Sequence, residues 1–220
     1  MPDTATASDI KALGRADMAA RLARDIEEGW VVNLGIGMPT AVSDYLPPDK
    51  EIIIHSENGI FGMGPKPAKG EEDFWLVNAG KQYVTLLPGA SMVHHADSFA
   101  AIRGGHIDLC VLGAFQVAEN GDIANWATSE NDSAPAVGGA MDLGVGAKRL
   151  WALMEHTTKE GEPRLVERCS YPLTALGTVK RIYTNLAVID VTPGGFKVME
   201  MVPGLSFDDL QARTGATLLR

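Results

Sequence analysis

The segment from Trp30 to His55 constrains the fold more than any other part of the chain. Trp30 to Leu34 is a short apolar run of strand character, and Glu51 to His55 is a second, rich in β-branched side chains. Between them stands Gly35-Ile36-Gly37, which permits a tight turn. Pro39 follows, suited to the first turn of a helix that runs to about Leu46 and ends at Pro47-Pro48. Strand, glycine turn, helix, strand is the opening of a βαβ unit, and such units assemble into parallel sheets. The expected fold is α/β: a single domain with an open, largely parallel sheet flanked by helices and carrying antiparallel hairpins.

The rest of the chain fits that frame. Arg15 to Glu28 reads as a helix with Met18, Leu22 and Ile26 on one apolar stripe and Gly29 as its stop. Tyr83 to Leu87 reads as a strand, Asp97 to Arg103 as a helix capped by Asp97, and Ile107 to Gly113 as a core strand. Glu119-Asn120-Gly121-Asp122 gives a hairpin signal, since Asn-Gly suits a type I′ turn. The small residues Pro135 to Ala140 precede a helix from Met141 to Lys148, and Arg149 to Glu155 is a further strand. Ala187 to Val191 and Phe196 to Met201 form a second hairpin, and Ser206 caps a last helix, Phe207 to Arg213. No linker or internal repeat divides the chain. The expected organisation is a flexible tail, 1–14, and one domain, 15–220.

The strand Glu51 to His55 stops at Ser56-Glu57-Asn58-Gly59, a cluster of turn-forming residues. Glu57 therefore stands on a sharp turn at the carboxyl end of a strand, the edge where open α/β sheets bind ligands. A carboxylate held there can act as nucleophile or base. On the residues alone, a polar turn that only reverses the chain explains the pattern as well. Gly62-Met63-Gly64-Pro65-Lys66-Pro67 reads as a stiff loop able to cover this turn.

His55-Ser56-Glu57-Asn58-Gly59 resembles the signature of family I CoA-transferases, in the chain that carries their catalytic glutamate. Asn33-Leu34-Gly35-Ile36-Gly37-Met38-Pro39 stands upstream as in that family. Asn78-Ala79-Gly80-Lys81, Pro88-Gly89-Ala90, Ile102-Arg103-Gly104-Gly105-His106, Gly121-Asp122-Ile123-Ala124-Asn125-Trp126, Gly138-Gly139-Ala140-Met141-Asp142-Leu143 and Tyr171-Pro172-Leu173-Thr174 follow in the family's order. The similarity runs from about Arg15 onward and is nearest to the B (β) subunit of 3-oxoacid or 3-oxoadipate CoA-transferases.

The resemblance implies a ping-pong transfer of CoA from succinyl-CoA to a 3-oxo acid through a glutamyl-CoA thioester on Glu57. It implies Gly139 and Ala140 as the thioester-binding (oxyanion) pair, and Asn33, Gly35, Gly37 and Lys81 as CoA-binding residues. It further implies an A (α) subunit partner in a heterotetramer, and no metal or organic cofactor. No residue distinguishes acetoacetate from 3-oxoadipate as acceptor, though the likeness leans toward 3-oxoadipate. The alternatives are an acyl-CoA hydrolase, a sugar-phosphate isomerase and a non-catalytic ligand-sensing subunit. The isomerase lacks a phosphate-binding Ser, Thr and Lys loop, and the intact Glu57 turn opposes the sensor.

Plainer readings stand beside each candidate. Gly138-Gly139-Ala140 also suits a helix-start loop with no ligand, and Lys81 a solvated side chain. Gly35-Ile36-Gly37 lacks the third glycine of a dinucleotide fingerprint, since Thr40 occupies that place, and a packing turn explains it. His94-His95 with Asp97 suggests a metal, but adjacent strand histidines point to opposite faces, so no metal site is expected. His55 reads as a buried, hydrogen-bonded strand residue, and Asn125-Trp126 as pocket lining or core.

A net charge of −9 opposes nucleic acid and anionic membrane partners, which need clustered Lys and Arg. It also bears on CoA, a polyanion: isolated cations such as Lys81 and Arg103, or a partner chain, must face its phosphates. No apolar run is long enough to span a bilayer, and Met1 to Ile10 lacks the pattern of a secretory signal. Two cysteines are too few for a disulfide framework, and the expected compartment is the cytoplasm.

Overall fold

Leu109-Cys110-Val111-Leu112 is apolar at four consecutive positions, and all four are buried. Such a run suits a strand covered on both faces. In the computed structural model, which describes residues 10–129 and 136–220, this strand (β5) lies near the middle of a ten-stranded sheet. Leu109 and Val111 face one helical layer together with Trp151 and Leu153, while Cys110 and Leu112 face the other with Leu150 and Ala152. Alternation of side chains across each strand thus divides the apolar residues between two cores.

The strands before β5 are β1 (Val31–Leu34), β2 (Ile53–Ser56), β3 (Ile60–Met63) and β4 (Leu86–Met92). After it come β6 (Gln116–Ala118), β7 (Ile123–Ala124), β8 (Leu150–Leu153), β9 (Leu165–Val166), β10 (Val179–Tyr183), β11 (Ala187–Thr192), β12 (Gly195–Met201) and β13 (Leu218–Leu219). The main sheet runs β13-β12-β11-β10-β8-β5-β1-β2-β3-β4. Its centre, β10-β8-β5-β1-β2, is parallel, and antiparallel strands extend it on both sides. From the β2 edge inward, the parallel strands stand second, first, third, fourth and fifth in order of appearance. The winding therefore reverses between β1 and β5, and a crevice opens at their carboxyl ends. A small sheet, β7-β6-β9, stands apart.

The helices are α1 (Arg15–Arg24), α2 (His95–Arg103), α3 (Ala140–Gly146) and α4 (Phe207–Gln211), with a 3₁₀ stretch at Met38–Tyr45. Met18 and Leu22 of α1 pack on one face of the sheet, and Ile102 of α2 and Leu143 of α3 on the other. Of the expected tail, residues 1–9 lie outside the described residues, while the Leu13 N–H donates to Asn185 O at 2.8 Å. No helix among the described residues is long and apolar enough to cross a membrane.

Several expectations need correction. α1 ends at Arg24 rather than Glu28; Asp25 closes it, its carboxylate taken by Arg21, Arg181 and the Tyr183 hydroxyl. The segment expected as a strand from Tyr83 to Leu87 is displaced: β4 starts at Leu86 and runs through Pro88, which an edge strand tolerates because its N–H side needs no ladder partner. Asp97 is not the cap of α2. His94 is, its ring Nδ1 accepting from Ala96 N–H at 3.1 Å. Ile60–Met63 is a strand, so the covering loop begins only beyond Met63. Both hairpins, the Ser206 cap and the Pro39 start agree with expectation. The turn of the first hairpin is not type I′, however: only Gly121 is left-handed (φ +89), and its N–H closes the turn on Ala118 O at 2.9 Å, so the chain reverses over one residue more than Asn-Gly alone would need.

Two buried histidines make the fold acid-sensitive. His156, fully buried, lies between Thr184 Oγ1 (3.1 Å) and Thr214 Oγ1 (2.9 Å), and His55 is buried beneath the Glu57 turn. Burial lowers both from 6.5 to about 4. Between those values the unfolded chain binds more protons than the folded one, so stability rises with pH there. It is fully present above about pH 6.5 and lost as pH falls toward 4, on the order of 3 kcal/mol for each histidine. Urea midpoints measured from pH 7 to 4.5 should fall accordingly, and His156→Gln should remove its share of the slope.

Candidate active site

Glu57 occupies the turn between β2 and β3, beside the crevice at the β1–β5 switch point. The turn is closed by Gly59 N–H on Ser56 O at 2.9 Å. Gly59 has φ +118, and a Cβ there would collide with the Val93 carbonyl, so glycine alone fits. The residues on either side of Glu57 clasp one strap of chain. Ser56 Oγ accepts from Ala79 N–H (3.0 Å), and Asn58 Nδ2 donates to Val77 O (2.7 Å). Beneath the turn, Asn33 Nδ2 donates to His55 Nδ1 at 3.0 Å, which leaves the Nε2 proton of the neutral ring for Ser98 Oγ at 2.8 Å. The nucleophile candidate thus stands on a turn tied to β1, α2 and the 77–79 strap.

The crevice is a cavity of about 520 Å³. Asn33, Gly35, Glu57, Gly139 and Ala140 all line it; Gly37 and Lys81 do not. Asn33 is 3% exposed with its amide engaged by His55, so its side chain serves the wall. Gly35 is required by close packing, since a Cβ there would stand 3.0 Å from both Leu112 Cδ2 and Val111 O. Lys81 is exposed and holds φ +63. Gly139, at the start of α3, lies directly against the Glu57 carboxyl: a Cβ built on it would be 2.9 Å from Cδ and closer still to Oε2. The Ala140 N–H donates to Val137 O at 3.1 Å. Pro135 lies outside the described residues.

Glu57 is half-buried, and burial raises its pKa above the ordinary glutamate value; His95 pulls it back and Asp142 pushes it further up. A carboxyl less well solvated than in water is a better nucleophile when ionised. Burial likewise pushes the Cys110 thiol well above its usual range, so it is inert beside the site. Arg103, a candidate for CoA phosphates, is committed to Asp142. Arg164, which no motif marked, lines the cavity as a cation, brought there by its place before β9. Among the described residues no group of three or more His, Cys, Asp or Glu is placed to hold a metal ion.

The site holds a carboxyl against the Cα of a glycine at a helix start, in a mostly apolar crevice, which suits acyl or thioester chemistry on Glu57. Comparison with known proteins points the same way. The family model described as "Coenzyme A transferase" matches residues 15–213. The chain is 58% identical over 207 residues to the B subunit of the 3-oxoadipate CoA-transferase of Acinetobacter baylyi, covering 94% of this chain and 95% of that one. It is 45% identical over 202 residues to the B subunit of a probable succinyl-CoA:3-ketoacid coenzyme A transferase of Bacillus subtilis, covering 92% and 93%. Its fold matches the acyl-CoA transferase (YdiF) apoenzyme of Escherichia coli O157:H7 with a TM-score of 0.71 at 17% identity. The match covers 94% of this chain and 42% of that longer one.

Proposed function

The chain belongs to the coenzyme A transferase family, and from that premise we propose that it is the B subunit of a succinyl-CoA:3-oxoacid CoA-transferase whose acceptor is 3-oxoadipate. The observation that carries the proposal is the Glu57 carboxyl packed against Gly139 in the switch-point cavity. The lean toward 3-oxoadipate rests on 58% identity to a 3-oxoadipate enzyme, against 45% to a 3-ketoacid one.

Glu57 attacks the thioester carbonyl of succinyl-CoA; a C–O bond forms, the C–S bond breaks, and CoA thiolate leaves an acyl-glutamyl anhydride. The thiolate then attacks the Glu57 carbonyl, which releases succinate and leaves the glutamyl-CoA thioester. The 3-oxo acid carboxylate attacks that thioester, and the same two steps in reverse return free Glu57 and the new acyl-CoA. Gly139 and Ala140 are the thioester-binding pair: they begin α3 directly beside the Glu57 carboxyl, and their N–H groups are the donors for the charge that develops on its oxygen, Ala140 once its N–H turns from Val137. Both intermediates are borne by Glu57, so the cycle requires no metal or organic cofactor.

The partner is an A subunit, in a cytoplasmic heterotetramer. Phe74, Trp75 and Met92 are 72%, 87% and 69% exposed, apolar surface of the kind that partners cover. CoA carries several negative charges and this chain is acidic, so the A subunit supplies cations beyond Lys81 and Arg164. The test is reconstitution with separately purified A subunit, succinyl-CoA and either 3-oxoadipate or acetoacetate. Transfer is expected from the mixture only, and faster to 3-oxoadipate. Full activity from this chain alone, or preference for acetoacetate, would refute the corresponding part. Steady CoA release without any acceptor would indicate a hydrolase.

A further inference from the structure

α2 and α3 pack together on the side of the sheet that carries the Glu57 turn. Their contact is close at one end, where a Cβ on Gly146 would stand 2.8 Å from the Ile102 carbonyl carbon. Beside it, Arg103 on the last turn of α2 grips Asp142 on the first turn of α3, Nε to Oδ1 at 2.7 Å and Nη2 to Oδ2 at 3.1 Å. This two-pronged geometry fixes direction as well as distance. Asp142 is three residues beyond Gly139, whose backbone touches the Glu57 carboxyl. Arg103 is exposed and Asp142 half-buried, and an ion pair with one end in solvent contributes little to stability.

We propose that Arg103 and Asp142 are positioning residues of the Glu57 site: the pair clamps α3 onto α2, so that Gly139 and Ala140 stay against the carboxyl, and it neutralises a negative charge that would otherwise face Glu57. The proposal rests on the reading of Glu57 as the carrier of CoA. The groups around that carboxyl are few. His95 of α2 favours its ionised form and Asp142 of α3 opposes it. His94 caps α2 through its ring nitrogen. His55 of β2 and Cys110 of β5 are neutral near pH 7. Arg164 lines the cavity. Arg103 acts on Glu57 only through Asp142, so the two partners have opposite electrostatic effects and the same mechanical one.

That difference separates a positioning role from a merely structural one. In the reconstituted complex, Arg103→Gln leaves Asp142 uncompensated, and the acid limb of the kcat/KM profile for succinyl-CoA moves to higher pH. Asp142→Asn removes the opposing charge, and the limb moves to lower pH. Both variants loosen the clamp, and their plateau rates fall about 10- to 100-fold. Arg103→Lys keeps the charge without the fork; its limb stays in place while its rate falls, which preserves the test should Arg103→Gln not fold. Melting profiles are expected to stay unchanged. Limbs that move in the same direction, or do not move, or plateau rates equal to wild type, would overturn the inference. Trapping the adduct in parallel separates the two failures: a wild-type complex with no adduct on Glu57 removes the underlying reading, whereas a normal adduct with unresponsive variants removes only the clamp.

Discussion

Glu57→Gln should lower CoA transfer by on the order of 10³- to 10⁶-fold while leaving the chain folded, because the amide cannot form the anhydride or the thioester. The side chain keeps its shape in the turn between Ser56 and Asn58. Its charge is lost at a place where burial and Asp142 both oppose ionisation, so stability should hold or rise slightly. The pairing of lost activity with kept stability is the informative result. A sensor built on this fold would bind its ligand unchanged after the substitution. Initial rates together with thermal melts of the reconstituted complex distinguish the two.

Gly139→Ala should also fold, and should lose transfer by about 100-fold through displacement rather than through chemistry. Gly139 has φ −84 and ψ 3, which alanine adopts without strain. The nearest atoms to the added Cβ all belong to the Glu57 carboxyl, with Cδ at 2.9 Å and Oε1 at 3.1 Å. That carboxyl is the far end of a flexible side chain, so it swings away and the fold survives. Gly138→Ala is the control. Gly138 has φ +53 with open space around it, so its Cβ strains the backbone without touching Glu57. Single-turnover formation of the enzyme-CoA adduct should be slow in the Gly139 variant and near wild type in the Gly138 variant.

Much of this is legible in the residues. The parallel centre follows from apolar runs such as Leu109 to Leu112, which are buried on both faces and so carry a strong local signal. Glu57 is marked by turn-formers placed directly after a strand. The misses have physical causes. β4 runs through Pro88-Gly89, a pair that reads as a stop, and is a strand only because β3 pairs with one side of it. Val179–Tyr183 gives no clear strand signal. Charged Lys180 and Arg181 interrupt its pattern, and the Arg181 charge is absorbed by Asp190 and Asp25, which are near it only in the folded chain. The contact of Gly139 with Glu57, the engagement of Asn33 by His55 and the pairing of Arg103 with Asp142 join residues from 22 to 82 positions apart, as 55 − 33 and 139 − 57 give the limits. Their spacing in the chain carries no trace of them. The resemblance points to Gly139; only the fold shows what its lack of a side chain is for.

In the proposed cycle Glu57 carries the coenzyme covalently between two acids. The direct measurement is to incubate the reconstituted complex with succinyl-CoA, reduce it with borohydride, digest it and map the peptides by mass. One altered peptide is expected, spanning Glu57, with that carboxyl reduced to a primary alcohol and no change at any other acidic residue. An unmodified Glu57 in a complex that transfers CoA at full rate would contradict it.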